Sequence, residues 1–357
     1  MLVISNDQIR SLLTMKGCMS ALEESYMERF HHRALSRPRS DLYAAKGDDT
    51  HYVFKSMEGL LPAQNTAALR INSDTIQWRK TPDGTRKEKL PLADGKWVGL
   101  IFLFDTTHGK LAAIMPDGVI QGFRVAATAG LAIDYMARAD AKTLGLFGAG
   151  WQAETQVLAA CAIRKLDQVK VYSPTRHKRE EFAARMSKLV GVPVIAVERP
   201  EEAAIGMDIV ATTTNSVTPV IKREWISPGT HLSCVKHVEL GDDVISLADF
   251  VAVHTTNITP ENYMMATGEE KIHVHDPIEN KEHTPSSKGW EKSDELHTIV
   301  GGGVKARSNP NDITCFINNI GLGLQFAAVG ALVLRLAKEA KLGHELPDDW
   351  FTEDVHP

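Results

Sequence analysis

Hydrophobic positions along this chain change their spacing repeatedly, and each change marks a different kind of element. Ser5 and Gln8 form a capping-box pattern ahead of Ile9, Leu12 and Leu13, which predicts a first amphipathic helix. Leu22, Tyr26 and Phe30 then recur at helical spacing in a second helix from Cys18 to Phe30. Beyond Arg37 and Arg39 the pattern predicts strands at His51–Met57, Thr66–Ile71, Trp97–Phe104 and Leu111–Met115, the last two joined by a turn over Asp105–Gly109. Residues 79–95 are polar and punctuated by proline and glycine, and read as an exposed loop. Gly122–Arg138 is alanine-rich and helical.

From Thr143 onward apolar runs alternate with helical stretches. Strands are predicted at Leu144–Phe147, Val169–Tyr172, Val194–Val197, Ile209–Thr212, His231–Val235 and Phe250–His254, with helices over 152–164, 178–189 and 200–206. Short continuous apolar strands between helices imply a parallel sheet covered on both faces. Residues 255–310 are polar and irregular, with Gly301–Gly303 reading as a hinge or a close backbone approach. A glycine-spotted apolar helix over Asn318–Lys341 closes the pattern.

Composition narrows the possibilities. The 357 residues are 43% apolar, enough for a substantial core, and carry a net charge of −5. No global positive field would draw such a chain to nucleic acid or to an anionic membrane. Charge runs such as Arg86–Lys89 mix both signs. Cys18, Cys161, Cys234 and Cys315 lie far apart with no paired-cysteine spacing, which argues against a disulfide scaffold and for a reducing, cytoplasmic setting. Neither a signal peptide nor a membrane-spanning stretch is read from the sequence.

The apolar run ending at Phe147 breaks into Gly148, Ala149, Gly150, Trp151, Gln152 and Ala153 and continues as a helix. That strand–turn–helix setting suits a dinucleotide fingerprint. Gly148 permits the tight turn, Gly150 lacks the Cβ that would block a pyrophosphate, and Ala153 lets helix and strand pack closely. The helix then presents unpaired N–H groups to the phosphates. The expected architecture is α/β: a Rossmann-type NAD(P)-binding domain over residues 125–317, and a split α+β substrate and dimerisation domain from residues 1–124 plus 318–357. A cleft between the two would bring cofactor and substrate together.

The residue ending the second strand of such a unit reads the adenosine ribose, and an acidic side chain there repels a 2′-phosphate. Here that strand ends at Tyr172 and runs into Ser173, Thr175 and Arg176, with no Asp or Glu before Glu180. Ser173 and Thr175 can donate hydrogen bonds and Arg176 can grip a phosphate, which favours NADP(H), with NAD(H) as the alternative. Thr213 and Asn215, after the fourth strand, are placed to contact the nicotinamide ribose.

Gly122, Phe123, Arg124 and Val125–Ala127 before the fingerprint, the fingerprint itself and Asp208–Asn215 form a combination that resembles the ornithine cyclodeaminase/μ-crystallin family. Pro228–His231 and Ile313–Phe316 extend the likeness over nearly the whole chain. The resemblance implies a homodimer with a split dimerisation domain that acts on small amino or imino acids through a bound nicotinamide cofactor. It also implies a cationic cluster around the substrate carboxylate, and by motif position Arg39, Arg70 and Arg124 match it. Arg70 stands where family members carry a lysine; arginine can hold an anion but exchanges no proton near neutral pH.

A second departure follows His231. Cyclodeaminases of the family carry an aspartate a few residues downstream, and Val238 falls at its place here, with Glu239 one residue away. Ring closure of a diamino acid needs a carboxylate to receive protons, whereas the reductases of the family lack it, so the expected activity is reduction of an α-imino acid. Lys236 and His237 become the candidate proton-handling groups. The alternatives are an ammonia-releasing cyclodeaminase that recycles its nicotinamide, and a non-catalytic NADP- or small-ligand-binding protein. His273 and His275, with His283 and His297 beyond, offer imidazoles in a polar stretch, but no metal is expected.

Overall fold

The computed structural model describes residues 1–47, 49–81, 84–256, 261–265, 271–272 and 293–355. The first unit opens with β1 (Leu2–Val3), α1 (Asn6–Leu12) and α2 (Met15–Phe30). The capping box forms as read: Gln8 N donates to Ser5 Oγ at 3.3 Å and Ser5 N to Gln8 Oε1 at 3.0 Å. Then come β2 (Leu35–Ser36), β3 (Ser40–Gly47), β4 (Thr50–Leu61), β5 (Thr66–Thr81), β6 (Gly84–Leu90), β7 (Val98–Asp105) and β8 (Lys110–Pro116). They build an antiparallel-dominated sheet in the order β3-β4-β5-β7-β8-β1, with β2 on β4 and β6 on β5.

The stretch over 79–95 is thus not simply a loop. β5 runs ten residues past the predicted Ile71 and returns through β6, Thr75 facing Leu90 and Gln77 facing Glu88. Composition concealed this strand because its buried side carries Arg70, Asn72 and Asp74 before Ile76 and Trp78. Burial alternates strictly with the pleat, so those polar residues point to the same side as the core.

α3 (Gly118–Met136) follows β8 and spans residue 124, touching α2 on one side and α4 (Trp151–Ile163) on the other. The second sheet comprises β9 (Thr143–Phe147), β10 (Gln168–Tyr172), β11 (Val194–Ala196), β12 (Ile209–Thr212), β13 (His231–Cys234), β14 (Phe250–Val253), β17 (Asp294–Glu295) and β18 (Thr314–Ile317). Before β17 come β15 (Glu261–Met264) and β16 (Lys271–Ile272), which join the first sheet beside β3. The order β11-β10-β9-β12-β13-β18-β14-β17 is parallel throughout, with α5 (Arg176–Val190) between β10 and β11, α6 (Asp242–Ile245) before β14 and α7 (Leu296–Val300) after β17. The helix expected over 200–206 is one short turn, Pro200–Ala203. The triple glycine is a close approach: a Cβ at Gly301 would lie 2.2 Å from the Phe30 ring.

α8 (Gly323–Glu339) crosses back to the first unit, and β19 (His344–Glu345) pairs with β1. α8 starts five residues later than predicted because Asn318 and Asn319 are engaged elsewhere, Asn318 Nδ2 donating to Val125 O at 3.0 Å. Its N-terminus lies flat on β4, where a Cβ at Gly323 would sit 2.0 Å from Glu58 O. One apolar cluster joins α2, α3 and α8 to the inner face of the first sheet, through Tyr26, Leu103, Ala127, Phe326 and Val329. Among the described residues no helix is long and apolar enough to cross a membrane.

Candidate active site between the two sheets

The strand order of the parallel sheet reverses between β9 and β12, and open α/β sheets bind ligands at the carboxyl ends of their strands beside such a point. Gly148 sits there with φ +112°, and a Cβ on it would lie 2.8 Å from Thr213 O, so only glycine fits this turn. Gly150 is the cap residue of α4, and a Cβ there would meet no atom within 4 Å, which leaves open space in front of the helix. Ala149 is half-buried, while Ala153 is fully buried against the sheet. Gln152 Oε1 is buried with no hydrogen-bond partner among the described residues. Trp151 lies over Gly122, where a Cβ would approach its Cζ3 to 2.6 Å, and this sets the crossing of α3 and α4. Open space, a free helix start and an orphaned polar atom fit a dinucleotide.

At the end of β10, Ser173 O accepts from Arg179 Nη1 at 3.0 Å. Thr175 caps α5 without a side-chain bond. Arg176 extends into solvent and pairs with Glu180 at 2.8 Å. Arg179, which sequence reading passed over, is the buried arginine here, with its Nε lacking a hydrogen-bond partner among the described residues. Thr213 N and Oγ1 both donate to Phe147 O, at 2.9 and 3.3 Å, and Asn215 is exposed.

The three arginines divide into two kinds. Arg39 Nε donates to the fully buried Asp41 Oδ1 at 2.9 Å. Arg70 places Nε and Nη2 on Asp117 Oδ2 at 2.8 and 2.7 Å, and Asn72 Nδ2 joins them at 3.1 Å. Both cations are therefore matched by a carboxylate. Arg124 differs: Nε and Nη2 donate to Gln121 Oε1 at 3.2 and 2.8 Å, and Nη1 donates to Gln325 Oε1 at 3.0 Å. Its described hydrogen-bond partners are neutral amides. Arg70 and Arg124 flank one ring, their guanidinium carbons 5.2 and 5.3 Å from the Phe326 centroid. Burial, reinforced by the nearby Arg70 charge, pushes the Arg124 pKa down to about 9. A buried cation so placed gains most from an incoming anion.

Lys236 is exposed and His237 half-buried, in a short turn after β13. Burial lowers the His237 pKa below its ordinary value, against the opposing Asp242 charge. Glu239 is turned inward and fully buried: Oε2 accepts from Thr212 Oγ1 at 3.2 Å and from Lys236 N at 3.1 Å, and Oε1 accepts from Thr214 N. Its carboxylate braces the β12 turn. Sequence reading missed Asp117, Asn72, Gln325 and Phe326; only Asp117 had a local signal, as the polar residue before an alanine-rich helix. Among the described residues no His/Cys/Asp/Glu group could hold a metal. His273, His275 and His283 lie outside the described residues, and His297 Nδ1 is 3.1 Å from Glu295 Oε2.

Comparison with known proteins fits this geometry. The profile of the ornithine cyclodeaminase/mu-crystallin family matches residues 2–340. A Delta(1)-pyrroline-2-carboxylate reductase from Bacillus cereus is 26% identical over 355 residues, covering 97% of this chain and 99% of its own. The iminosuccinate reductase of Paracoccus denitrificans is 25% identical over 97% of this chain and 99% of its own. The solved Thermococcus litoralis Delta(1)-pyrroline-2-carboxylate reductase, in complex with NADH and L-proline, superposes with TM-score 0.78 at 27% identity, over 97% of this chain and all of that one.

Proposed function

Because the chain belongs to the ornithine cyclodeaminase/mu-crystallin family, we propose that it is an NAD(P)H-dependent reductase of small α-imino acids. The observation that carries this reading is Arg124, a buried guanidinium bound to two amides and no carboxylate among the described residues. An α-imino acid brings the missing anion, and the arginine fork fixes its orientation. Arg70, held by Asp117, to which Asn72 also donates, and Arg39, held by Asp41, are the other two arginines of the proposed cluster, each with its charge already matched by a carboxylate. The nicotinamide, when bound at the Gly148–Ala153 turn, supplies a hydride to the imine carbon. The proton that balances the reaction goes to the imine nitrogen, and His237 is the group suited to deliver it, with Lys236 beside it as the alternative.

The cyclodeaminase reading lacks its carboxylate. Val238 occupies the aspartate position, and Glu239 is committed to Thr212, Thr214 and Lys236 N. The substrate class is a cyclic imine such as those of the pyrroline-2-carboxylate reductases, or the imine of a small 2-oxo acid. The test follows nicotinamide absorbance against a panel of cyclic imino acids, and of 2-oxo acids with ammonium or methylamine. Consumption with one of these is expected; NADPH binding with no consumption anywhere in the panel would leave the binding-protein reading in its place.

NADP(H) is the preferred cofactor in this reading. No carboxylate ends β10, and Arg176, paired on the surface with Glu180 in a solvent-screened contact, can swing onto a 2′-phosphate. Arg176→Ala then weakens NADPH binding about tenfold and leaves NADH unchanged, read by fluorescence titration. The protein works as a homodimer in the cytoplasm. The outer face of the first sheet supports the dimer, with Phe54, Leu69, Ile71, Leu100 and Phe102 half-exposed there. Free cysteines at 18, 161, 234 and 315 support the reducing setting.

A further inference from the structure

Arg124 lies at one end of a buried chain of hydrogen bonds whose direction can be worked out. His254 Nδ1 is 2.5 Å from Ile320 O, a group that only accepts, so Nδ1 carries the proton. Burial drops the His254 pKa to about 3, so the ring is neutral and Nε2 is an acceptor. Tyr26 OH, 2.8 Å from Nε2, must therefore be the donor there. Its oxygen accepts in turn from Gln325 Nε2 at 3.1 Å, and the same Nε2 donates to Thr128 Oγ1 at 2.7 Å. That leaves Gln325 Oε1 facing Arg124 Nη1 at 3.0 Å and Leu322 N at 3.0 Å. Tyr26, Thr128 and Gln325 are fully buried and His254 nearly so. They come from α2, α3, α8 and the end of β14, so both units of the fold meet in this chain.

We infer that Gln325, Tyr26 and His254 are positioning residues that aim Arg124 at the substrate carboxylate while leaving its charge unneutralised. The contrast with Arg70 shows the logic. Asp117 holds Arg70 with a negative charge, which spends the attraction internally. Gln325 holds Arg124 with a neutral amide whose orientation is fixed, because the Nε2 end must face Tyr26 and Thr128. A glutamate at this position could neither donate to those two oxygens nor leave Arg124 available. Gly321 completes the seat: a Cβ there would lie 2.4 Å from Arg124 Nη1, so the loop from Ile320 closes directly over the guanidinium.

The inference rests on Arg124 as the carboxylate clamp, and the experiment separates the two. Gln325→Glu and Tyr26→Phe are made alone and in an Arg124→Lys background, and KM for the imino acid, kcat and the NADPH dissociation constant are measured on folded protein. Gln325→Glu is expected to raise KM at least tenfold by pairing with Arg124, with NADPH affinity unchanged. Tyr26→Phe, which removes one hydroxyl and keeps the ring, is expected to raise KM about threefold to tenfold. Both effects should shrink to about twofold or less when Arg124 is already lysine. Unchanged KM in the two single variants, or effects of full size in the lysine background, would overturn the inference while leaving the clamp in place. If Arg124→Lys alone leaves KM unchanged, the clamp reading fails instead, and the inference falls with it.

Discussion

The proposed cofactor end and the proposed substrate end of this site are made from different materials. Around Gly148 the structure works with backbone: a positive-φ glycine, an open helix start at Gly150 and a turn braced by Thr213 and Glu239. Around Arg124 it works with charge and amides set on separate elements, balanced so that Arg39 and Arg70 are neutralised by carboxylates and, among the described residues, Arg124 is not. Backbone geometry suits a cofactor whose phosphates need N–H donors whatever its redox state. An unpaired buried cation suits a small anion that must be held in one orientation for each turnover.

If this division holds, variants at the two ends should separate cleanly. The largest effect is expected from Arg124→Ala, which should lower kcat/KM for the imino acid about 10²–10³-fold while the NADPH dissociation constant stays within about twofold. Loss of both would mean that the arginine supports the fold rather than the anion.

His237→Gln should lower kcat by about 10² and flatten its pH profile. With His237 as the proposed proton donor, reduction needs the protonated ring, whose pKa burial holds below its ordinary value. The rate should therefore keep rising as pH falls below the ordinary histidine range and level off only below the lowered pKa, and oxidation of the amine should show the opposite slope. A variant that keeps the wild-type profile would shift the proton-handling role to Lys236.

Asp117→Asn strips Arg70 of its counter-charge and should destabilise the fold by about 2–3 kcal/mol, read by chemical denaturation, even with the amide still able to accept a bond. Gly148→Ala is the counterpart at the other end. It should cost about 1–3 kcal/mol and weaken NADPH binding, since the new Cβ meets Thr213 O in a backbone conformation that alanine avoids. Substrate KM measured at saturating NADPH should barely move. A large KM change in this variant would show that the two ends are not independent.

The two ends also differ in how far the sequence reveals them. The fingerprint from Gly148 to Ala153 is local: its glycines and alanine lie within one strand–turn–helix unit, so spacing alone finds it, although Thr213, which demands glycine at 148, comes from the end of β12. The parallel strands from β9 to β14 were legible for the same reason, each being a short apolar run, whereas β17 and β18 of the same sheet were not read as strands. Arg39, Arg70 and Arg124 came through family resemblance, but nothing in their neighbourhood told which of them is neutralised. That depends on Asp41, Asp117, Gln325 and Phe326, which the fold brings together from as far away as α8. The second half of β5 stayed hidden because its core-facing side carries Arg70, Asn72 and Asp74, and a polar alternation over residues 70–90 looks like solvated chain until the partner strands are known. Arg176 looked like the phosphate reader from composition, and only the folded helix distinguishes it from the buried Arg179 three residues on.

Counting ammonia against nicotinamide in one reaction tests the proposed reduction most directly. The protein is supplied in separate runs with a cyclic α-imino acid plus NADPH and with ornithine plus NAD⁺, and both products are measured. Reduction predicts one nicotinamide oxidised per imine consumed and no ammonia from ornithine. Ammonia released from ornithine with no net change in nicotinamide would contradict it, and would mean that a group other than the committed Glu239 supplies the proton acceptor.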